Sequence, residues 1–189
     1  MSRFPVHTAE TAPEAKPLIE GAEKAFGFLP NLLGIMAESP ALLEGYLTLA
    51  GIFDKTDLSP TERQIVLMVN NRLNGCTYCM AAHTAIAKSQ GVPVAVIDAL
   101  RSGAELADPK LEALRTFATR INETRGWPDQ QDIDALLSAG YTQRTVLEVV
   151  LGTSLKVMSN YTNHIAGTPL DSAFKAVEWT DADLACPTR

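Results

Sequence analysis

The sequence predicts an all-α protein, and three observations support this prediction. Several prolines directly follow a helix-capping side chain, which is the pattern of an N-cap followed by the first helical residue. These pairs are Ser39-Pro40, Ser59-Pro60 and Asp108-Pro109. The segments between such marks are about 10 to 20 residues long and repeat their apolar residues at helical spacing. The sequence lacks the alternating apolar and polar runs, joined by hairpin turns, that are typical of strands.

Capping residues, glycines and prolines set the expected bounds of each helix. Ser59 and Glu62 form a capping box at the start of one helix. Gly91 and Gly126 stand where two helices are expected to end. A short last helix is expected after Pro169. The other predicted helices cover residues 12–26, 30–37, 40–54, 60–73, 77–90, 93–101, 109–125, 130–138 and 143–164.

The length and patterning favour one all-helical domain over residues 1–189. Within it we expect a helical arm at 1–55, a core at 56–105 that carries a Cys-x-x-Cys motif, and a second helical half at 106–189.

Charge and hydropathy exclude several classes of partner. Sixteen Lys and Arg against 22 Asp and Glu give a net charge of −6, and the sequence has no basic run, so a nucleic-acid surface is not expected. No stretch reaches the roughly 18 apolar residues of a membrane span. Because the first residues also lack the apolar core of a signal peptide, the protein is expected to be cytoplasmic. In a reducing compartment, a Cys-x-x-Cys pair favours redox chemistry or metal binding over a structural disulfide.

The residues that carry chemistry are Cys76, Cys79 and His83, at spacing i, i+3 and i+7. At about 100° per residue they share one stripe of a helix. The preceding Asn74-Gly75 indicates a break, so both thiols are expected in the first turn of a helix that begins there. Free backbone N–H groups at that place favour a thiolate, and His83 is suited to exchange the proton.

Such a dithiol supports a two-step redox cycle. One thiolate attacks an electrophile such as a peroxide oxygen and becomes a sulfenic acid, which the other thiol converts to a disulfide. A zinc site is the main alternative, but it needs four ligands, usually with a second Cys/His pair. Cys186 lies in a proline-containing tail, and His7 and His164 are isolated, so no metal is expected. A purely structural buried pair stays open.

Two stretches of the sequence resemble the alkylhydroperoxidase D / carboxymuconolactone decarboxylase superfamily. They are Leu58-Ser59-Pro60-Thr61-Glu62-Arg63-Gln64-Ile65-Val66 and Asn74-Gly75-Cys76-Thr77-Tyr78-Cys79-Met80-Ala81-Ala82-His83. A third, Asn160-Tyr161-Thr162-Asn163-His164 with Thr168-Pro169-Leu170-Asp171, is similar to the peroxidase-related branch of that superfamily.

The resemblance implies an alkylhydroperoxidase D-like helical bundle that assembles as a homo-oligomer, a trimer or hexamer, and reduces hydroperoxides without metal or flavin. It implies that Cys79 is the peroxidatic cysteine, Cys76 the resolving one and His83 part of a proton relay. It also implies a dithiol reductant, such as a lipoyl group or a thioredoxin-like protein. Helix-dipole reasoning by itself does not choose between the two thiols.

This sequence departs from the family pattern at the relay. Gln64 occupies the position of the family's glutamate, and an amide cannot act as a carboxylate base. Tyr78 occupies the position where some members have a histidine. Slower turnover is therefore expected, unless a base comes from elsewhere. Glu148, within an apolar stretch, and His164 are the candidates, although an exposed Glu148 and a packed core His164 are the commoner outcomes for such residues.

Two other functions remain open at this level. One is a decarboxylase or lactone-processing activity of the carboxymuconolactone type, which does not need the cysteine pair. The other is a non-catalytic redox-sensing oligomer whose disulfide alters subunit contacts.

A weak internal similarity relates two segments of the sequence. Residues 61–83 can be laid over 142–164 without a gap, and Thr, Arg, a later Val and the closing His coincide. Either a duplicated helical hairpin or shared amphipathic patterning explains this similarity.

Overall fold

A computed structural model describes residues 2–184 of the chain, and within them it contains helices and no strand, which confirms the all-α prediction. Two short 3₁₀ helices lie at Pro13–Ala15 and Ser172–Val177. The α-helices are α1 (Lys16–Phe26), α2 (Asn31–Met36), α3 (Pro40–Phe53), α4 (Pro60–Leu73), α5 (Thr77–Ser89), α6 (Val94–Ser102), α7 (Pro109–Glu123), α8 (Gln130–Ser138), α9 (Gln143–Ala166) and α10 (Asp181–Leu184).

The helix starts predicted at Pro40, Pro60 and Pro109 are confirmed, together with their caps, whereas the helix predicted from residue 12 begins as a 3₁₀ turn and becomes α-helical at Lys16. The Ser39 and Asp108 side chains accept hydrogen bonds from backbone N–H groups in the first turns of α3 and α7. Ser59 and Glu62 form the complete capping box of α4. Such caps stabilise a helix by about 1 kcal/mol each. The end of α7 differs from the prediction, because the chain leaves the helix before Arg125, which has a left-handed φ of 56°.

The main core surrounds α4, which packs against α5, α6, α7 and α9. Ile65, Val66 and Met68 are fully buried there. Burying one such side chain contributes about 1.5–3 kcal/mol. Leu73, the last residue of α4, is 41% exposed.

A second apolar cluster joins the N-terminal helices to the dithiol. It contains Ile19 of α1, Leu32 of α2 and Leu43 of α3, together with Cys76 and Cys79. Helices α2 and α3 pack on α9. The predicted arm at 1–55 therefore lies against the part of the chain that carries the chemistry.

Residues 142–164 belong to one continuous helix, α9, which runs from Gln143 to Ala166. Residues 61–83 instead form a helix, a break and a second helix. The hypothesis of a duplicated hairpin is therefore wrong.

Between residues 2 and 184, no helix is both long and apolar enough to cross a membrane.

Candidate functional site

The connection between α4 and α5 places the two thiols. Asn74 is the C-cap of α4, and Gly75 takes a left-handed φ of 64°, which glycine adopts without steric cost. Cys76 is then the N-cap of α5, and its N–H donates to the Asn71 carbonyl at 2.8 Å. Cys79 follows within the first turn, as the sequence predicts.

Both cysteines are buried free thiols, with exposed fractions of 1% for Cys76 and 2% for Cys79. They share one hydrogen-bond donor on α9. The Asn163 side-chain amide lies 3.1 Å from Cys79 Sγ and 3.7 Å from Cys76 Sγ. The two sulfurs are therefore neighbours, and Cys79 makes the shorter contact.

A chain of buried amides fixes the helices that hold the thiols. Asn71 of α4 donates to the Cys79 carbonyl at 3.2 Å, and Asn160 of α9 donates to the Asn71 side-chain oxygen at 3.0 Å. Asn160 also accepts from Asn74 at 2.9 Å. Because buried amides are costly when unpaired, these bonds favour one relative position of α4, α5 and α9.

The surroundings shift the pKa values of the two thiols in opposite directions. Burial by itself raises the pKa of Cys79, but hydrogen bonding from Cys76, the positive charge of Lys156 and the neighbouring Ser159 and Asn160 outweigh it and lower that pKa below the usual 9.0. The hydrogen bond to Cys79 and burial raise the pKa of Cys76. These surroundings therefore favour the thiolate at Cys79 and the protonated thiol at Cys76.

His83 lies between an amide and an ammonium group. Its Nδ1 is 2.9 Å from Gln64 Oε1, and its Nε2 is 3.0 Å from Lys156 Nζ. Gln64 Nε2 in turn donates to Gln90 Oε1 at 3.0 Å. Because the lysine donates to Nε2, the imidazole is assigned as neutral, with its proton on Nδ1 and directed at Gln64. Burial and the charge of Lys156 hold the pKa of His83 well below 6.5, which agrees with a neutral ring.

A small apolar cavity of about 60 Å³ opens onto Cys79 and His83. Cys76 is not among its lining residues. Helices α1, α2 and α3, α5, α9 and the second 3₁₀ helix contribute the walls, so the N-terminal segment closes the site. The lining residues are Phe26, Pro30, Leu32, Leu33, Tyr46, Tyr78, Cys79, Ala82, His83, Ile86, Lys156 and Phe174.

The Tyr78 ring lines the cavity, but its hydroxyl is directed elsewhere. It donates to Asp171 Oδ2 at 2.6 Å and accepts from the Leu32 N–H at 3.3 Å. Burial and the Asp171 carboxylate raise the pKa of Tyr78. The hydroxyl thus ties α5 to the start of α2.

Two residues predicted as possible relay members are not brought to the thiols. Glu148 accepts a hydrogen bond at 3.2 Å from the Asp57 N–H, in the connection between α3 and α4. His164 is exposed, so the expectation that it packs in the core is wrong. Both lie on α9 at positions that do not line the cavity.

Lys156 and Asn163 are the site residues that sequence reasoning missed. Lys156 is only 1% exposed and Asn163 is 5% exposed. A lysine within the largely apolar stretch Leu155–Met158 was the available signal for Lys156. Asn163 carries no comparable signal, because its partner sulfurs lie on another helix.

Within residues 2–184, no group of three or more His, Cys, Asp or Glu side chains is arranged to hold a metal ion. Cys186 lies outside the described residues.

Comparison with known proteins adds two findings. Residues 40–120, which include both cysteines and His83, match the model of the carboxymuconolactone decarboxylase family. No curated protein matches the chain.

Solved structures share the fold at low sequence identity. An uncharacterised peroxidase-related protein from Ralstonia eutropha JMP134, described as an alkylhydroperoxidase AhpD core, superposes with a TM-score of 0.79 at 21% identity, covering 92% of this chain and 94% of that one. A peroxidase-related protein from Silicibacter sp. TM1040 gives 0.76 at 20% identity, with coverage of 91% and 92%. A cysteine-to-alanine variant of the debrominase Bmp8, with 2,3,4-tribromopyrrole bound, gives 0.75 at 19% identity, with coverage of 93% and 97%.

The matched family segment and these AhpD-like neighbours agree with the sequence motifs around the two cysteines. Residues 40–120 thus match the carboxymuconolactone decarboxylase family, and the chain shares its fold with these AhpD-like neighbours.

Proposed function

We propose that the protein is a thiol peroxidase that reduces small organic hydroperoxides, with Cys79 as the attacking thiolate. The observation that carries the proposal is the environment of Cys79. Its sulfur lines an apolar cavity, receives the Asn163 amide at 3.1 Å and is stabilised as an anion by the charge of Lys156. A stabilised, accessible thiolate is the form of cysteine that attacks a peroxide.

The two cysteines complete a redox cycle. Cys79 attacks the terminal peroxide oxygen and becomes a sulfenic acid, and the neighbouring Cys76 thiol displaces water to give a Cys76–Cys79 disulfide. Cys76 has the raised pKa and stays protonated, as the resolving thiol, until the sulfenic acid forms. A dithiol reductant, such as a lipoyl group or a thioredoxin-like protein, then reopens the disulfide.

The amide at position 64 is compatible with this cycle. A carboxylate base would help to ionise the thiol, but the charge of Lys156 and the hydrogen bonds around Cys79 already favour the thiolate. Gln64 Oε1 instead fixes the ring of His83 by accepting from Nδ1 at 2.9 Å. The neutral His83 then supports Lys156 through Nε2.

Consumption of a small alkyl hydroperoxide, with dihydrolipoamide and thioredoxin as alternative reductants, tests the proposal. We expect turnover with at least one reductant, loss of activity in Cys79→Ser, and a single turnover in Cys76→Ser. Glu148→Gln serves as the control, because Glu148 bonds to Asp57 away from the cavity. Unchanged turnover in Cys79→Ser would refute the peroxidase mechanism.

The same variants separate the remaining alternatives. A carboxymuconolactone-type decarboxylase does not use the thiols, so its activity would survive Cys79→Ser. A redox-sensing oligomer would form the Cys76–Cys79 disulfide with peroxide but consume only one equivalent, even with excess dithiol.

Reductive debromination of a small aromatic compound is a second candidate reaction for this site. The cavity has aromatic walls from Phe26, Tyr46, Tyr78 and Phe174, which suit a flat apolar ring, and a debrominase shares the fold. The Cys79 thiolate would take the bromine as a sulfenyl bromide while a proton from solvent replaces it on the ring carbon, and the Cys76 thiol would then displace bromide, lose its proton and form the disulfide. Bromide release from 2,3,4-tribromopyrrole, compared with hydroperoxide consumption under the same reductant, decides between the two substrates.

The proposed homo-oligomer, a trimer or hexamer, has an apolar surface available on α9. The exposed residues of this surface are Leu147, Val150, Val157, Tyr161 and Ile165. They follow one face of the helix, because they recur at steps of three, four and seven residues. Light scattering with size-exclusion chromatography measures the subunit number, and a charged residue at Tyr161 should lower it.

A further inference from the structure

We propose that Lys156 is a catalytic residue that protonates the oxygen leaving a hydroperoxide as Cys79 attacks. The inference rests on the proposed peroxidase function and assigns the proton that this function requires. When a thiolate breaks the O–O bond of an alkyl hydroperoxide, the other product is an alkoxide. An alkoxide is a poor leaving group in an apolar cavity unless an acid protonates it.

The geometry of Lys156 fits that acid. Its side chain is 1% exposed and lines the cavity beside Cys79 and His83. The ammonium group carries three N–H donors, and among residues 2–184 the hydrogen-bond partner of Nζ is His83 Nε2, at 3.0 Å. Two donors therefore remain for a ligand in the cavity. The charge that stabilises the thiolate is thus on the same group that can release a proton to the product.

The other proton carriers of the cavity wall are less suited to this step. The Nδ1 proton of His83 is held by Gln64, and Nε2 accepts from the lysine, so the ring presents no proton to a ligand. The Tyr78 hydroxyl donates to Asp171. Burial raises the pKa of Tyr46, which makes its phenol a weak acid. Lys156 is the remaining acid on the wall, within the described residues.

The proton and electron balance of the cycle closes with this assignment. The Cys79 thiolate forms an S–O bond with the terminal oxygen, and the O–O bond breaks. Cys79 is oxidised by two electrons to the sulfenic acid, and the alkoxide takes a proton from Lys156 to leave as alcohol. The Cys76 thiol then forms the disulfide and releases water. When a dithiol reduces the disulfide, one of its protons goes to Cys76 and the other returns to Lys156, beside the restored thiolate.

The test compares two peroxides in two lysine variants. Lys156→Arg keeps the positive charge but does not release a proton at ordinary pH. Lys156→Met removes both the charge and the proton donor. Attack on tert-butyl hydroperoxide releases an alkoxide that must be protonated. Attack on peracetic acid releases acetate, which is stable without a proton. Lys88→Arg, on the exposed end of α5, is the matched control. Circular dichroism establishes that each variant is folded, and the rate of Cys79 alkylation by iodoacetamide measures how much of the thiolate it retains.

For Lys156→Arg we expect kcat/KM for tert-butyl hydroperoxide to fall about 100-fold, with the peracetic acid value within about threefold of wild type. Lys156→Met should lose activity with both peroxides, because it also loses the thiolate. An equal fall with both peroxides in Lys156→Arg, or no fall, would overturn the role of Lys156. If Lys156→Arg does not fold, Lys156→Met decides. A fall in its kcat/KM no larger than its loss of thiolate overturns the role of Lys156 as acid. A further fall that is limited to tert-butyl hydroperoxide supports that role. A wild-type protein inert toward both peroxides would overturn the proposed function itself.

Discussion

Residues 61–83 and 142–164 share spacing and end on a histidine, yet they fold differently, and only residues 61–83 form the helix pair that carries the dithiol of the candidate site. Both begin at capping boxes, on Ser59 and Thr142. The first segment breaks at Asn74-Gly75 and restarts as α5. The second continues as α9 without a break.

The break decides the environment of each histidine. After Gly75, with its left-handed φ of 64°, α5 leaves in a new direction, and His83 meets Gln64 of α4 and Lys156 of α9. On the uninterrupted α9, His164 faces outward and is exposed. Sequence spacing therefore places a histidine on a helix face, but the path of the chain determines what that face contacts.

The largest expected effect separates the two histidines. His83→Ala should lower hydroperoxide turnover by at least about 100-fold, because Lys156 loses the Nε2 acceptor that it contacts at 3.0 Å. His164→Ala, the matched control, should stay within about twofold of wild type, since exposed substitutions rarely matter. Steady-state kcat/KM measures both. Similar losses of kcat/KM in the two variants would contradict the difference proposed between His83 and His164.

The two thiols of the break should differ in their response to pH. In Cys76→Ser, alkylation of Cys79 should reach half its maximal rate well below pH 9.0, because the lowered pKa keeps the thiolate at lower pH. In Cys79→Ser, Cys76 should need a pH above 9.0, since burial raises its pKa. Iodoacetamide rates across pH measure both. The reverse order would assign the nucleophile to Cys76.

The break itself should depend on Gly75. Gly75→Ala forces a side chain into the left-handed region and should lower the free energy of unfolding by about 1–2 kcal/mol. Gly51→Ala, in the helical part of α3 with open space around a new Cβ, should instead raise it by up to about 1 kcal/mol. Urea unfolding compares the two variants. Stabilisation by Gly75→Ala would mean that the break does not need this backbone conformation.

The smallest effect concerns the feature that both segments share. Ser59→Ala and Thr142→Ala should each lower the free energy of unfolding by about 1 kcal/mol, because each removes one capping box. If the free energy of unfolding depends equally steeply on urea concentration in both variants, the two losses of stability are local. A loss in one variant several times larger than in the other would show that the caps are not equivalent.

Much of the fold was predictable because its signals are local. The caps at Ser39, Ser59 and Asp108 fixed three helix starts, and Gly75 marked the break before the dithiol. Helix periodicity also placed Cys76, Cys79 and His83 together. These features depend on residues only a few positions apart, so the sequence is sufficient for them.

The partners on α9 were not predictable in the same way. Lys156 and Asn163 reach the site through packing between helices distant in sequence, and no local pattern encodes that packing. For the same reason His164 was expected in the core, although α9 turns that face to the surface. Glu148 is a candidate base by sequence, but it accepts from the Asp57 N–H, in a connection that is distant in sequence, and does not line the cavity.

The most direct test of the account is to identify the sulfur that a hydroperoxide oxidises first. Cys76→Ser, treated with one equivalent of cumene hydroperoxide and a sulfenic-acid trap such as dimedone, should give one adduct, on Cys79. Cys79→Ser under the same conditions should give none. An adduct on Cys76 in Cys79→Ser with no adduct on Cys79 in Cys76→Ser would contradict Cys79 as the attacking thiolate.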